Sequence, residues 1–149
     1  MPKLKGKRVF AGRPDQVGAA RRFVAAALDP NMAGYDAACL LTSEAVTNAV
    51  LHSASGGEGG SLLVAWSVRG GRLRVEIHDD GGPVEPRRRV HHVESVTGRG
   101  LDLFEALSSG WGFDGGPEGR TVWFELDLDG SDRTDGAGRR SLRPVNPRT

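Results

Sequence analysis

Three polar side chains recur at every fourth residue of an otherwise apolar stretch, LTSEAVTNAVLHS: Glu44, Asn48 and His52. On an α-helix, residues four apart lie on one face, so the three side chains form a single polar stripe. An amide oxygen and a carboxylate one turn apart can hold a hydrated Mg²⁺ ion, and a carboxylate can also activate a hydroxyl group. The alternative is a capping or core hydrogen-bond network, because buried polar side chains need partners.

A second candidate is the segment DDGGP, which follows the predicted strand RLRVEIHD. Alternate residues of that strand share one face, and the row ends in a carboxylate: Leu73, Val75, Ile77, Asp79. A carboxylate in this position can accept a hydrogen bond from an exocyclic amine such as that of adenine, and Gly81 lets the backbone approach a flat ring. An ordinary Asp-Gly turn would explain the same residues.

A third candidate is TGRGLDLF, in which Gly98 and Gly100 immediately precede a predicted helix. The first N–H groups of a helix and the positive end of its dipole can receive phosphate oxygens. The segment lacks the third glycine of a dinucleotide fingerprint, and the sequence contains no G-x-x-x-x-G-K-[ST] loop. The alternative is a glycine-rich start to an ordinary helix.

The elements that must position these segments follow from periodicity and from turn residues. KRVFAG predicts a strand, PDQVGAARRFVAAAL a helix, and the stretch from about Tyr35 to Ser53 a second helix that is apolar nearly all round. LLVAWSV and RLRVEIHD predict a hairpin across RGGR, GLDLFEALSS a short helix, and GWGFDGGPEGRTVWFELDLD two further strands. This order predicts an α+β fold: a two-layer α/β sandwich with a mixed, mostly antiparallel sheet and helices on one face.

Composition and charge limit the class of protein. The 149 residues suit one domain, which we place at residues 1–129, and the polar, breaker-rich residues 130–149 predict a disordered tail. Residues 1–129 carry 15 basic and 17 acidic groups, which does not favour direct nucleic-acid binding. The sequence contains no apolar run of membrane-spanning length, no signal peptide is expected from its basic start, and the lone Cys39 fits a reducing cytoplasm.

Taken in this order, E-x-x-x-N on a helix, D-x-G after a strand and G-x-G-L before a helix resemble the GHKL superfamily of ATP-binding domains. That superfamily has the Bergerat-type ATP-binding fold and includes gyrase, heat-shock protein 90 and histidine kinases. The compact size, with SEAVTNAVLH, VEIHDDGGP, TGRGLDLFEALSSGWG and GRTVWFEL, resembles the anti-sigma-factor serine kinases of bacteria. The resemblance covers roughly Val9 to Leu128.

This resemblance implies a role for each matching residue. Asn48 would coordinate Mg²⁺, and Glu44 would be the catalytic base that acts on the attacking hydroxyl. Asp79 would bind the adenine amine with Gly81 beside the ring, and Thr121 would help to hold the water on the adenine side.

The phosphates would be met by the G-x-G-L segment, which comprises Gly98, Arg99, Gly100 and Leu101, with Arg99 as a candidate for neutralising their charge. His52 would brace the helix or pack below the nucleotide. The sequence departs from the family pattern at Pro83, which replaces the second glycine of D-x-G-x-G and stiffens that end of the lid.

The function implied is that of a cytoplasmic serine/threonine protein kinase that uses Mg²⁺ and ATP. It would phosphorylate a STAS-type anti-anti-sigma partner, bind a sigma factor, and regulate transcription by partner switching. A homodimer is expected, without membrane or direct nucleic-acid binding. One alternative is a non-catalytic, nucleotide-gated GHKL binding module in a regulatory complex, and another is a structural protein whose polar stripe is a core network.

Overall fold

The strands and helices form two layers in the computed structural model. The structure describes residues 4–52, 59–80, 102–116 and 118–129. The strands are β1 Leu4–Ala11, β2 Ser61–Arg69, β3 Arg72–Asp79, β4 Gly110–Gly116 and β5 Gly119–Asp127. The helices are a 3₁₀ turn Pro14–Gln16, α1 Val17–Ala25, α2 Tyr35–His52 and α3, residues 102–107. The predicted tail, residues 130–149, lies outside the described residues.

The five strands form one sheet in the order β1-β2-β3-β5-β4, and every described neighbouring pair is antiparallel. The hairpin predicted across RGGR is confirmed, because Gly70 and Gly71 adopt φ of +58° and +81° between β2 and β3. Two successive residues with positive φ are what a tight two-residue hairpin requires. The sheet together with the helices confirms the predicted α+β sandwich.

One face of the sheet carries the core. Leu73, Val75 and Ile77 of β3 are 0–1% exposed, and their cross-strand partners in β5 point to the same face. The helices cover this face. The Phe104 ring of α3 lies 5.9 Å from the ring of Phe124 in an edge-on contact, and α2 contributes a row of buried residues: Ala38, Leu41, Ala45, Val46, Ala49 and Val50.

The first helical region differs from its prediction at both ends. Pro14 begins a 3₁₀ turn, and α1 itself starts at Val17, whose N–H donates to the Pro14 carbonyl three residues back. At the other end, the N–H groups of Ala27 and Leu28 donate to carbonyls only three residues back. This tightening ends α1 before Asp29-Pro30, where the residue preceding proline disfavours helical geometry.

Helix α2 has the predicted bounds to within one residue, but it is not buried all round. Leu40 is 40% exposed and Leu51 is 54% exposed. The sheet and α1 cover only part of the circumference of α2. The prediction of burial from its apolar composition was therefore too high.

The start of α2 is fixed against the end of β5 at Gly34. The Gly34 N–H donates to the Leu128 carbonyl at 3.1 Å. A Cβ atom at Gly34 would lie 2.7 Å from the Asp127 carbonyl oxygen and 2.8 Å from Cδ1 of Leu126. These distances are too short for a carbon atom, so the close approach of helix and strand requires glycine.

We expect Gly34→Ala to lower the free energy of unfolding by about 1–3 kcal/mol, because the strand backbone must move to make room. Gly18→Ala in α1 is the matched control. Its Cβ atom would meet only the far end of the Arg22 side chain, at 3.2 Å, and alanine is the better helix former. Urea titration should show opposite signs for the two variants, and an unchanged midpoint for Gly34→Ala would contradict this packing.

Candidate functional site

The polar pair on α2 lies at the edge of its buried face. Glu44 and Asn48 are both partly buried, and they are separated by one helical turn. Neither side chain forms a hydrogen bond or an ion pair with any residue that the structure describes. Among the described residues, the core network considered as an alternative is therefore not formed around this pair. His52 ends α2, and its side chain lies outside the described structure.

Asp79 ends the apolar row of β3, facing the helices as predicted, with 7% of its surface exposed. Directly across the β3–β5 ladder lies Arg120, whose Nη2 donates to the Asp79 Oδ2 at 2.9 Å. The two side chains are 1% and 8% exposed, so this is a buried ion pair. Removing Asp79 would leave the buried charge of Arg120 without its ion-pair partner among the described residues, which is strongly destabilising.

The lengths of α2 and β5 lead us to expect the polar pair of α2 at the same end of the molecule as Asp79. The helix begins beside Leu128, just after β5 ends, and its 18 residues rise along ~27 Å. Strand β5 has nine residues and spans ~30 Å back to its start beside Asp79. These matching lengths would bring the last turns of α2, which carry Asn48, over the end of the sheet where β3 ends, with Glu44 one turn further back.

Thr121 is not brought to this site. It pairs with His78 in the β3–β5 ladder, and its Oγ1 lies 2.8 Å from the His78 Nδ1 on the open face of the sheet. Side chains of adjacent strand residues point to opposite faces, so the residue that meets Asp79 is Arg120 and not Thr121. The sequence indicated that Arg120 faces the core, because alternate residues of a strand share one face and Arg120 lies four residues before the core residue Phe124.

The remaining predicted residues, Gly81, Gly98, Arg99, Gly100 and Leu101, lie outside the described residues. The helix that follows them is held firmly. Phe104 of α3 is 2% exposed, and its ring makes edge-on contacts with Trp111 at 5.6 Å and with Phe124 at 5.9 Å. The chain that leaves the G-x-G-L segment is therefore anchored to β4 and β5.

The open face carries a charged network that includes His78. Glu76 accepts hydrogen bonds from Arg74 Nε at 2.7 Å and from His78 Nε2 at 3.0 Å. With Nε2–H donated to Glu76, the His78 Nδ1 is the acceptor for the Thr121 hydroxyl. Arg74 also donates to Glu125 at 2.9 Å and lies 4.5 Å from the centroid of the Trp123 ring. This network gives Thr121 a structural role within the sheet.

The network shifts the acid–base equilibrium of Glu76. Partial burial by itself raises the pKa of this carboxyl, but the hydrogen bond and charge of Arg74, with a smaller contribution from His78, outweigh burial and lower the pKa. A carboxylate with a lowered pKa in the folded state stabilises the fold above its unfolded-state pKa. That stabilisation is lost as the pH falls through the folded-state value.

We therefore expect Glu76→Gln to lower the free energy of unfolding at pH 7 by about 0.5–1 kcal/mol, as is typical of a partly exposed ion-pair network. The difference from the wild type should shrink as the pH falls below 4.5, the ordinary value for this carboxyl. Urea titrations from pH 7 to pH 3 measure this, with Glu118→Gln in the β4–β5 turn as the exposed control. A difference that stayed constant with pH would contradict the proposed linkage.

The donor atoms of the polar pair suit Mg²⁺. Within the described parts of the chain, no three His, Cys, Asp or Glu side chains are grouped as metal ligands. Mg²⁺ does not need such a cage, because it keeps several waters and takes one or two protein oxygens together with substrate phosphates. The amide oxygen of Asn48 can provide one such oxygen, and the Glu44 carboxylate one turn away remains for a role as a base.

Comparison with known proteins identifies the domain. In the described ranges, no helix combines the length and apolar character needed to cross a membrane. No curated protein matches the chain. A family model described as a histidine kinase-like ATPase domain matches residues 10–126, which include α2, β3 and most of β5. The chain therefore belongs to the histidine kinase-like ATPase domain family, the group of ATP-binding domains that its motifs resemble.

Proposed function

We propose that the protein is a Mg²⁺- and ATP-dependent serine/threonine protein kinase of the anti-sigma type. Family membership supports an ATP-binding domain. The observation that carries the finer proposal is the pair Glu44 and Asn48, which is partly buried and has no partner in the described structure. The lengths of α2 and β5 would bring this pair to the end of the sheet marked by Asp79. A pure nucleotide binder has no need of a carboxylate base in this place.

In the proposed reaction, Glu44 accepts the proton of a serine or threonine hydroxyl as that oxygen forms its bond to the γ-phosphorus of ATP. The bond between the γ-phosphorus and the ADP oxygen breaks at the same time, so phosphoserine or phosphothreonine and ADP are the products. Asn48 would hold Mg²⁺, which when bound neutralises charge on the phosphates. Asp79 would accept a hydrogen bond from the adenine amine.

The phosphate-facing segment in this proposal is Gly98 to Leu101, with Arg99 opposite the developing charge. The protein substrate would be a STAS-type anti-anti-sigma partner, and the unoccupied kinase would hold a sigma factor, so that phosphorylation switches partners and controls transcription. The active form would be a cytoplasmic homodimer. These assignments are supported by the motifs that resemble the anti-sigma kinases.

The test is phosphoryl transfer from Mg-[γ-³²P]ATP to candidate STAS-type partners. Label should appear on the partner and should be stable to acid, as phosphoserine and phosphothreonine are. No transfer to any partner, with ADP still bound, would contradict the kinase and leave the second candidate.

That second candidate is the non-catalytic, nucleotide-gated binding module. The buried Asp79–Arg120 ion pair favours this second candidate. An adenine ring that binds beside Asp79 must share the Asp79 carboxylate with Arg120. Nucleotide binding would then alter packing at the end of the sheet. For such a module, Asn48→Ala should abolish regulation by the protein in cells, because nucleotide binding is lost. Glu44→Ala should preserve this regulation, because no phosphoryl transfer is needed.

A further inference from the structure

Arg120 is a buried guanidinium group that uses little of its hydrogen-bonding capacity. Its side chain is 8% exposed, and its single hydrogen bond within the described residues runs from Nη2 to Asp79 Oδ2, at 2.9 Å. Its Nε atom is buried and has no partner in the described structure. Arginine carries five N–H donors, and arginine–carboxylate pairs are frequently bidentate. A simple counterion for Asp79 would be expected to make fuller use of them.

Among the described residues, one of the two strand neighbours of Arg120 carries no side chain. Asp79 lies across the ladder in β3, and Gly115 lies across the ladder in β4. Gly115 has a φ of +104°, and a Cβ atom there would clash with the Gly119 carbonyl, so a larger residue is not tolerated. Arg120 thus faces the helices at the end of the sheet, between a carboxylate and a glycine.

We propose that Arg120 is a second base-contacting residue of the nucleotide site, which together with Asp79 recognises the edge of adenine that carries N1 and the 6-amino group. This inference rests on the proposed nucleotide site. The carboxylate accepts a hydrogen bond from the 6-amino group, and the guanidinium donates one to N1. One acceptor beside one donor is also the pattern with which an amide side chain recognises adenine in nucleic acids.

The same pair disfavours guanine in this orientation. Guanine has a carbonyl oxygen at position 6 and an N–H at position 1, so both the donor and the acceptor are reversed. A guanine placed like adenine would set its carbonyl against the Asp79 carboxylate and its N–H against the Arg120 guanidinium. Sites that hydrogen-bond a substrate group reject analogues that leave buried polar groups unmatched.

The decisive test changes the ligand, so that it needs no variant protein. The full chain is titrated calorimetrically with ADP, with 1-deaza-ADP, in which N1 is replaced by C–H, and with 7-deaza-ADP. The last compound is the matched control, because it removes a ring nitrogen from a different edge of the base. We expect 1-deaza-ADP to bind about ten- to hundredfold more weakly than ADP, and 7-deaza-ADP to remain within about twofold.

A protein variant then assigns the effect to Arg120. Arg120→Met should weaken ADP binding by a similar factor, and the preference for ADP over 1-deaza-ADP should fall to less than about twofold. Because this variant removes the ion pair between Arg120 and the buried Asp79, Asp79→Asn/Arg120→Met, which removes both charges, is measured beside it, with an unfolding midpoint for each.

Two results would overturn the inference while ADP binding itself persists. Equal affinities of the wild type for ADP and 1-deaza-ADP would make Arg120 a structural counterion. Tighter ADP binding by Arg120→Met would make it an occluding group. If the wild type bound no ADP, the proposed nucleotide site would fall together with this inference, and that outcome is distinct from the other two.

Discussion

Replacing Glu44 by Gln should slow phosphoryl transfer to the protein partner by about 10²–10⁴-fold, the usual contribution of a positioned general base. Glutamine keeps the size and the hydrogen-bonding shape of the side chain but cannot accept the hydroxyl proton. ADP affinity should remain within about threefold of the wild type, because Glu44 acts on the attacking hydroxyl rather than on the nucleotide. This separation of transfer from binding is the strongest consequence of the unpartnered carboxylate on α2.

The measurement combines single-turnover transfer of ³²P with calorimetric titration of ADP for the same preparations. Asp36→Asn is the matched control, because it also removes a negative charge from α2, at an exposed position in the first turn of the helix. It should leave transfer within about twofold. If Glu44→Gln transferred phosphate at the wild-type rate, Glu44 would not be the base, and the non-catalytic module would gain support.

The second large effect concerns stability. Phe104→Ala should lower the free energy of unfolding by about 3–5 kcal/mol, since this ring is 2% exposed and packs edge-on against two other aromatic rings. The lost contacts fasten α3 to β4 and β5. A loss of this size is a large fraction of the stability of a typical domain.

Urea titration followed by tryptophan fluorescence would measure this loss, because Trp111 lies against the Phe104 ring. Glu105→Ala, at an exposed position of the same helix, is the control and should change stability by no more than about 0.5 kcal/mol. A loss below about 1 kcal/mol for Phe104→Ala would show that α3 contributes little to the core and would contradict its assigned role as the anchor of the preceding segment.

The parts of the fold that the sequence predicted well are those with a clear local period. Strand β3 alternates strictly, so the inward position of Asp79 followed from Leu73, Val75 and Ile77. Helix α2 has a long apolar pattern, and its bounds agree with the prediction to within one residue. In both elements the local pattern and the tertiary packing favour the same structure.

The parts that the sequence did not reveal depend on contacts between distant segments. The partner of Asp79 could be identified only after β5 was known to lie beside β3, and this adjacency joins strands that are not consecutive in the chain. The motif resemblance gave Thr121 the role of holding a water on the adenine side and did not mention Arg120, which the ladder register places opposite the carboxylate. Similarly, the exposure of Leu40 and Leu51 reflects how far α1 and the sheet extend around α2, which composition does not encode.

The central claim is that α2 and the end of β3 form one side of a site for a magnesium-bound adenine nucleotide. Titration of the full chain with ADP, in the presence and in the absence of Mg²⁺, tests it most directly when Asn48→Ala is measured in parallel. We predict that ADP binds the wild type, that Mg²⁺ tightens this binding, and that Asn48→Ala loses the Mg²⁺ dependence. Absence of ADP binding to the folded wild type, or the same Mg²⁺ dependence in Asn48→Ala, would contradict the claim.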